Sequence, residues 1–146
     1  GKYMRIWFEE YTPEFLNEGR GFIKEHINSH LGIEITDIGD DFLKGTMPVD
    51  QRTKQPFGIL HGGASCVLAE TLGSIASWMV IDPSKFMAVG LEINASHLRS
   101  VSDGLVTGVC SPLRVGRTVH VWQINLYNIQ NKMTCTTRLT VAIRER

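Results

Sequence analysis

The alternation of hydrophobic and polar residues is clearest in the second half of the chain, where it predicts strands. VHVWQINLY and TTRLTVAI place apolar residues at alternate positions, as half-buried strands do. The strand-like stretches are FMAVGLEINASHLRS, GLVTGVCSPLRVG, RTVHVWQINLYN and MTCTTRLTVAIRE. A few turn residues separate them, at Val101–Asp103, Gly116 and Ile129–Lys132. Because gaps this short favour hairpin connections, we expect these strands to be antiparallel neighbours.

The first half of the chain predicts a short helix followed by a hairpin. Thr12-Pro13-Glu14 combines an N-cap residue, a proline suited to the first helical position and an acidic first turn. A helix should run to about Glu18, and the pattern leaves open its continuation across Gly19 and Gly21 to His26. HLGIEITDIG and DFLKGTMPV then predict two strands that meet at a Gly-Asp-Asp turn. The polar stretch DQRTKQPFG predicts a loop.

The longest apolar segment runs from His61 to Ile81 and predicts a central helix. Small and apolar residues fall on all its sides, which indicates a helix that is buried all round. Its length approaches that of a membrane span, but Glu70, Gly73 and Ser74 within it argue against that interpretation. Since one curved sheet covers only one side of such a helix, we expect a second copy of the chain to cover the other side in an obligate dimer.

Composition narrows the class of protein. The 146 residues suit one domain, and equal numbers of basic and acidic residues give a net charge of zero, which argues against nucleic-acid binding. The three cysteines show neither CxxC nor Cys/His spacing, so we expect reduced thiols and no zinc site. The N-terminal stretch GKYMRIWFEEY lacks an apolar core of signal-peptide length, which favours a cytoplasmic location.

A carboxylate inside the apolar helix is the first candidate for chemistry. Glu70 lies nine residues after His61, which puts the two on opposite faces of a helix and about 13 Å apart along its axis. They cannot act on one substrate atom within a single chain, but two such helices packed antiparallel in a dimer could bring them together. Ser74, one turn after Glu70, shares its face of the helix.

Two glycines at the helix entry suggest the reaction. Gly62 and Gly63 expose unpaired N–H groups at the positive end of the helix dipole, where a substrate oxygen can approach the backbone closely. A carbonyl polarised by these amides with a carboxylate opposite it describes acyl transfer to water, in which Glu70 is the nucleophile or the general base. No GxSxG elbow is present, so a serine hydrolase is disfavoured.

Three stretches carry a family resemblance: MPVDQRTKQPFGILHGGASCVLAETLGSIAS, VGLEINASHLRS and RLTVAI. They resemble the PaaI-like acyl-CoA thioesterases, and most closely the bacterial 1,4-dihydroxy-2-naphthoyl-CoA hydrolases and aryl-CoA thioesterases. The resemblance covers about Leu31 to Ile143 and implies an α+β hotdog fold, in which a curved antiparallel sheet wraps round one long central helix. Residues 1–146 would form a single hotdog domain, in which residues 1–30 are an N-terminal extension with a short helix.

The resemblance also implies roles in the hydrolysis of an aromatic acyl-CoA. Glu70 matches the catalytic carboxylate, and the Gly62 N–H matches the donor to the thioester carbonyl. His61 and Gln55 match the polar pair that positions the thioester and the water, while Ser74 matches a hydroxyl that assists hydrolysis. Nine residues match positions that line the coenzyme A channel: Gly90, His97, Leu98, Arg99, Ser100, Arg114, Gly116, Arg117 and Thr118.

The resemblance further implies how the enzyme is assembled and supplied. No metal or separate cofactor takes part, since coenzyme A belongs to the substrate. A homodimer forms the active site, two dimers form a homotetramer, and neither nucleic acid nor a membrane is a partner. A role in menaquinone biosynthesis would follow from the naphthoyl relatives.

Alternatives remain open at this point. Another hotdog enzyme, a hydratase or dehydratase of acyl thioesters, and a non-catalytic acyl-CoA-binding protein would each fit parts of the pattern. Glu70 could form an ion pair with a buried arginine. His97 and His120 fall in strands and are as consistent with surface positions as with ligand contacts, and Trp78 suits the core or an interface.

Overall fold

The computed structural model describes residues 5–19 and 23–146. The helices in this part of the chain are α1 (Pro13–Glu18), α2 (Ile27–Leu31) and α3 (Gly62–Val80). The strands are β1 (Glu34–Ile38), β2 (Leu43–Pro48), β3 (Phe86–His97), β4 (Leu105–Val115), β5 (Val119–Tyr127) and β6 (Met133–Glu145). They form one antiparallel sheet in the order β1-β2-β4-β5-β6-β3, which packs against α3. The predicted α+β hotdog architecture is confirmed.

The sheet differs from the predicted arrangement at β3. Strands β4, β5 and β6 form the expected meander, but β3 pairs with β6 and lies at the far edge of the sheet, so the predicted pairing of β3 with β4 is wrong. β3 ends at His97, and residues 98–104 form a connection long enough for β4 to start away from β3. Leu98 donates its N–H to the Thr134 carbonyl, and Val101 accepts from Leu60, so the chain crosses the end of the sheet to reach β4.

One face of α3 forms the centre of the core. Leu68, Leu72 and Met79 are fully buried on that face. Close packing of α3 against the sheet depends on glycine, because a Cβ added at Gly73 would lie 2.5 Å from Leu139 Cδ2 and one at Gly108 would lie 2.6 Å from Leu72 Cδ1. A larger residue at either position would force the neighbouring buried leucine to move from its place in the core.

The opposite face of α3 is uncovered in the single chain. Glu70 is exposed, and Gly62, Cys66 and Ser74 are partly exposed, so the sheet covers one side of the helix only, and the burial of the other side by a second chain stays a prediction. Helix α3 is long and apolar enough to cross a membrane, with 44% of its most apolar window buried inside the fold. Its contacts with β2 to β6 identify it as a core helix.

The N-terminal region is helical in two short pieces. Helix α1 ends at Glu18 because Gly19 adopts a left-handed conformation (φ 57°), so the continuation considered from the sequence does not form. Part of that continuation, residues 20–22, lies outside the described residues. Helix α2 was not expected, and its last residues, His30 and Leu31, had been assigned to a strand that in fact starts at Glu34.

Side-chain hydrogen bonds attach these pieces to the domain. Asn17 donates its side-chain amide to the Ile35 carbonyl at 2.9 Å and accepts the Ile35 N–H at 2.8 Å, which ties α1 to β1. Thr71 Oγ1 donates to Asn28 Oδ1 at 3.0 Å, which ties α2 to α3. Helices α1 and α2 are therefore packed on the domain, and α2 lies next to the uncovered face of α3.

Candidate active site

A stripe of side chains at four-residue spacing defines the uncovered face of α3. Gly62, Cys66, Glu70 and Ser74 follow one another along the helix at this spacing and therefore share one side of it. Three of the residues predicted to carry the chemistry, Gly62, Glu70 and Ser74, thus lie on one surface. Cys66, for which the sequence predicted only a reduced thiol, lies between the glycine and the carboxylate.

Glu70 lies against a bare stretch of backbone in β3. A Cβ added at Gly90 would be only 2.9 Å from Glu70 Oε2, so the glycine makes room for the carboxylate. Burial, and to a lesser extent the charge of Glu70, raise the pKa of the neighbouring Cys66 thiol. Cys66 is therefore a neutral thiol at neutral pH, and Glu70 is the group on this stripe that can act as a base or nucleophile.

The entry of α3 brings two histidines to Gly62. His61 is the N-cap residue, and its Nδ1 accepts the Gly63 N–H at 2.8 Å, so a neutral His61 carries its ring hydrogen on Nε2. A Cβ added at Gly62 would lie 2.9 Å from His97 Nε2. Nδ1 of His97 in turn lies 3.6 Å from Cys135 Sγ. Because Gly62 is the first helical residue, its N–H has no acceptor within the helix and can bind a substrate oxygen.

Gln55 belongs to the loop that leads into this helix entry. The side-chain oxygen of Gln55 accepts the Phe57 N–H. The backbone N–H of Gln55 donates to the Ile59 carbonyl at 2.8 Å. The loop is joined to the helix cap because His61 donates its N–H to the Thr53 carbonyl at 2.8 Å. The Gln55 side chain is thereby tied to the loop that leads into the helix entry.

The turn between β4 and β5 carries exposed arginines. Gly116 donates its N–H to the Val119 carbonyl at 2.9 Å, and Thr118 accepts from the Ile143 N–H at 2.8 Å, which fixes the turn to β6. Arg114 and Arg117 are exposed, and neither forms an ion pair with another described residue. Guanidinium groups in this situation are suited to phosphate oxygens.

The single chain divides the predicted site into two groups. Cross-strand pairing aligns Gly90 with Val141, then His120, then Val115, so Gly90 and the β4–β5 turn lie at the same end of the sheet as Glu70. His97 aligns with Cys135 and lies, with residues 98–100, at the other end, near the helix entry. Group one is Glu70, Ser74, Gly90 and residues 114–118; group two is Gln55, His61, Gly62 and residues 97–100.

A cavity beside the stripe was not predicted. It has a volume of about 1320 Å³ and lies between α1, α2, the uncovered face of α3 and the start of β3. Ser74 and Trp78 line it from α3, Phe15 from α1 and Met87 from β3. The Trp78 ring also packs on Tyr11, with 5.3 Å between the ring centroids. Its walls come from four separate segments, so no local pattern in the sequence could have signalled it.

Two further expectations are affected by the structure. His120 is neither a surface residue nor a ligand candidate, because it is buried against α3 and only 2% exposed. Among residues 5–19 and 23–146, no group of three or more His, Cys, Asp or Glu side chains could hold a metal ion. That no metal takes part in the reaction stays a prediction.

Fold and site together define a hotdog domain with a carboxylate and a glycine-rich helix entry on the uncovered face of its central helix. The model of the thioesterase superfamily matches residues 57–135, which include both features, and the chain belongs to this family.

Individual relatives match almost the whole chain. The proofreading thioesterase EntH of Cronobacter turicensis is 51% identical over 139 residues, which are 94% of this chain and 98% of the relative. The 1,4-dihydroxy-2-naphthoyl-CoA hydrolase of Escherichia coli K12 is 49% identical over the same share of both chains. The crystal structure of a mutant thioesterase from Pseudomonas aeruginosa has a TM-score of 0.93 at 45% identity and covers 97% of this chain and 99% of that chain.

These similarities confirm the resemblance found in the sequence. The protein is a thioester hydrolase with acyl-CoA thioesterase activity. Neither the hydratase or dehydratase alternative nor the non-catalytic binding protein gains support from these relatives.

Proposed function

We propose that the enzyme hydrolyses an aromatic acyl-CoA thioester and that Glu70 is its catalytic carboxylate. The stripe on α3 carries this proposal, because it presents the carboxylate of Glu70 and the hydroxyl of Ser74 on one open surface and leaves the amide of Gly62 free at the start of the same helix. The aryl substrate named for the relative in Escherichia coli supports the aromatic class and a menaquinone-related role.

The cavity beside Ser74 supports an aromatic acyl group. Trp78 and Phe15 present aromatic rings there, and Ile75 and Met87 add apolar surface. Flat rings suit such walls, since stacked or edge-on aromatic contacts add to the burial of apolar area. An acyl group in this cavity would lie within one helical turn of Glu70, because Ser74 belongs to both the cavity and the stripe.

The free edge of β3 supports an active site shared by two chains. This twelve-residue strand ends the sheet, and Met87, Val89 and Leu91 on it are 40%, 42% and 57% exposed. Such an edge favours pairing with another strand. Two β3 strands paired antiparallel about a two-fold axis would set the Gly90 end of one beside the His97 end of the other. Group one of one chain would then face group two of its partner.

The chemistry follows from these groups. The Gly62 N–H donates to the thioester oxygen while the carbonyl carbon is attacked, and charge that develops on the oxygen is stabilised at the helix N-terminus. As a base, Glu70 takes a proton from the attacking water, and the C–S bond breaks to release the acid and the coenzyme A thiolate. As a nucleophile, Glu70 attacks the carbonyl carbon, the C–S bond breaks to release the coenzyme A thiolate, and water then hydrolyses the resulting acyl–Glu70 anhydride to the acid and the free carboxylate. Both routes need the ionised carboxylate.

The test is Glu70→Gln, assayed for thiol release from benzoyl-CoA and 1,4-dihydroxy-2-naphthoyl-CoA. We expect kcat to fall at least about a thousandfold with KM little changed, since the amide can neither attack nor accept the proton. Glu92→Gln, an exposed carboxylate of β3, is the matched control and should keep wild-type activity. Activity of Glu70→Gln within a few-fold of wild type would refute the role of Glu70. A wild-type preference for straight-chain acyl groups would refute the aromatic class.

Light scattering tests the assembly. A dimer of dimers would have the mass of four chains of 16.4 kDa each. A protein that is monomeric and fully active at assay concentration would contradict the shared site.

A further inference from the structure

A hydrogen-bonded chain of buried side chains connects α3 to the β4–β5 turn. Trp122 donates its Nε1–H to Ser77 Oγ at 2.7 Å, and Ser77 Oγ lies 2.9 Å from His120 Nδ1. His120 pairs with Val115 across the β4–β5 hairpin, which sets its imidazole beside the next residue, Gly116, and the imidazole bonds to the backbone of Gly116 in the turn. Ser77 and Trp122 are fully buried, and His120 nearly so. Polar groups are costly to bury singly, and this chain gives each of the three buried side chains a partner and holds them rigidly in place.

The direction of the chain can be read from its ends. Trp122 Nε1 can only donate, and the Gly116 carbonyl can only accept. Ser77 must therefore pass its own hydroxyl hydrogen to Nδ1 of a neutral His120, whose other ring nitrogen donates to Gly116. Burial lowers the pKa of His120 and so favours this neutral form. Every donor in the chain then has an acceptor, and a single tautomer is selected.

The far end of this chain is the turn that carries Arg114 and Arg117. Gly116 lies between them, and its conformation is tight, because an added Cβ would be 2.9 Å from the Val119 carbonyl oxygen. Both arginines are exposed, so no contact of their own with the protein interior fixes them. The backbone between them is held within the turn by the Gly116–Val119 bond, and the bond from His120 attaches it to the buried side chains below.

We propose that Ser77 and His120 are positioning residues, which hold the β4–β5 turn in the geometry in which its arginines grip the phosphates of coenzyme A. This inference rests on the proposed function and on the expectation, from the family resemblance, that the turn lines the coenzyme A channel. His120 and Gly90 are two strands apart in one cross-strand row, about 10 Å, and Gly90 adjoins Glu70. An extended pantetheine arm, which separates a thioester from its nucleotide phosphates, can span that distance. The pair would act on substrate affinity and leave the reaction centre untouched.

The test separates grip on the nucleotide from catalysis. His120→Ala and Ser77→Ala are compared with wild type on benzoyl-CoA and on the benzoyl thioester of N-acetylcysteamine, which lacks the nucleotide. We expect KM for benzoyl-CoA to rise about tenfold with kcat within about twofold, and the kinetics on the truncated substrate to be unchanged. His120→Gln should restore most of the affinity, because its amide can accept from Ser77 and donate to Gly116.

Controls exclude a general loss of structure. Thr137→Val removes another buried hydrogen bond, from Thr137 Oγ1 to the Ile124 carbonyl at 2.8 Å, in the middle of the sheet. It should lower the melting temperature without changing KM for benzoyl-CoA. Arg117→Ala in the His120→Ala background should add little to the rise in KM, since both changes remove the same grip.

Opposite outcomes would overturn the proposal. Equal losses on the full and truncated substrates would mean that the pair is only structural, and an unchanged KM in both alanine variants would mean that the turn needs no such support. Calorimetric titration with coenzyme A gives a readout that needs no hydrolysis, with an expected rise in Kd of about tenfold. If wild type binds coenzyme A but cleaves no aromatic thioester, the proposed function fails while the positioning role is still measured. If wild type does not bind coenzyme A, both fail.

Discussion

Gly90→Ala offers a sharp test of where the catalytic carboxylate lies. The added Cβ would be 2.9 Å from Glu70 Oε2, well inside ordinary van der Waals contact, while no other atom lies within 4 Å of it. The flexible end of Glu70 must therefore move by about half an ångström, and a shift of 1 Å at a reacting group can cost about a hundredfold in rate. We expect kcat to fall about tenfold.

The same substitution should not weaken the fold. Gly90 lies in a strand and does not have a positive φ, so alanine fits its backbone, and removal of a strand glycine contributes about 0.5–1 kcal/mol of stability. The melting temperature should stay level or rise by about 1–4 °C. Lower activity with equal or greater stability is the signature of a displaced carboxylate, and it distinguishes this cause from partial unfolding.

The assay is thiol release from benzoyl-CoA at saturating substrate, with calorimetry for stability. Glu70→Ala, alone and combined with Gly90→Ala, completes a double-mutant cycle. If Gly90 acts through Glu70, the double variant is no slower than Glu70→Ala alone. A wild-type kcat for Gly90→Ala, or additive losses in the cycle, would refute the placement of Glu70 against β3.

Three further predictions follow from buried or cavity-lining groups. The pKa of His120 is lower in the folded chain than in the unfolded chain, so unfolded chains bind more protons. Stability should therefore fall as pH drops through about 6.5 and level off below the folded pKa. Calorimetry from pH 8 to 5 should show a flatter profile for His120→Gln than for wild type. Trp7→Ala, which removes a 5% exposed ring and its bond to the Gly39 carbonyl, should cost about 3–5 kcal/mol in urea unfolding, and a cost below about 1 kcal/mol would contradict its core role. Trp78→Ala should raise KM for benzoyl-CoA about tenfold and leave acetyl-CoA unchanged; equal effects on both would exclude Trp78 from the acyl site.

Local patterns predicted most of the fold because they are set by neighbours in the sequence. Alternation identified the strands of the second half, and the run from His61 to Ile81 identified α3 to within a residue at each end. The partner of β3 could not be found in this way. Pairing with β6 depends on which sheet edge is free after β4 has paired with β2, which is a property of the whole sheet.

The site shows the same division between local and distant information. The histidine, the glycines and Glu70 lie within ten residues, so their shared helix could be predicted. The hydrogen bond between Ser77 and His120 could not be predicted, because 43 residues separate them in the sequence. The alternation pattern of β5 also does not tell whether its histidine bonds to another element. The cavity also escaped prediction, since its walls meet only after α1 and α2 have folded onto α3.

Subunit complementation tests the shared site most directly. Glu70→Ala and His61→Ala each disable one group of the divided site, and in homodimers each should be inactive. Coexpression of the two variants with different tags gives mixed dimers, in which one site carries both substitutions and the other carries neither. Random assembly should then restore about a quarter of wild-type activity, and isolated mixed dimers about half.

A site contained within one chain gives a different result, because every chain in the mixture lacks one essential group and no combination can repair it. Coexpressed Glu70→Ala with Glu70→Gln is the control, since both substitutions fall in the same group and no assembly restores a site. Activity in the first mixture and none in the control would establish that the carboxylate and the helix entry come from different chains. Equal inactivity of both mixtures, with mixed dimers confirmed by tag purification, would show that each chain carries a complete site and that the exposed edge of β3 serves another purpose.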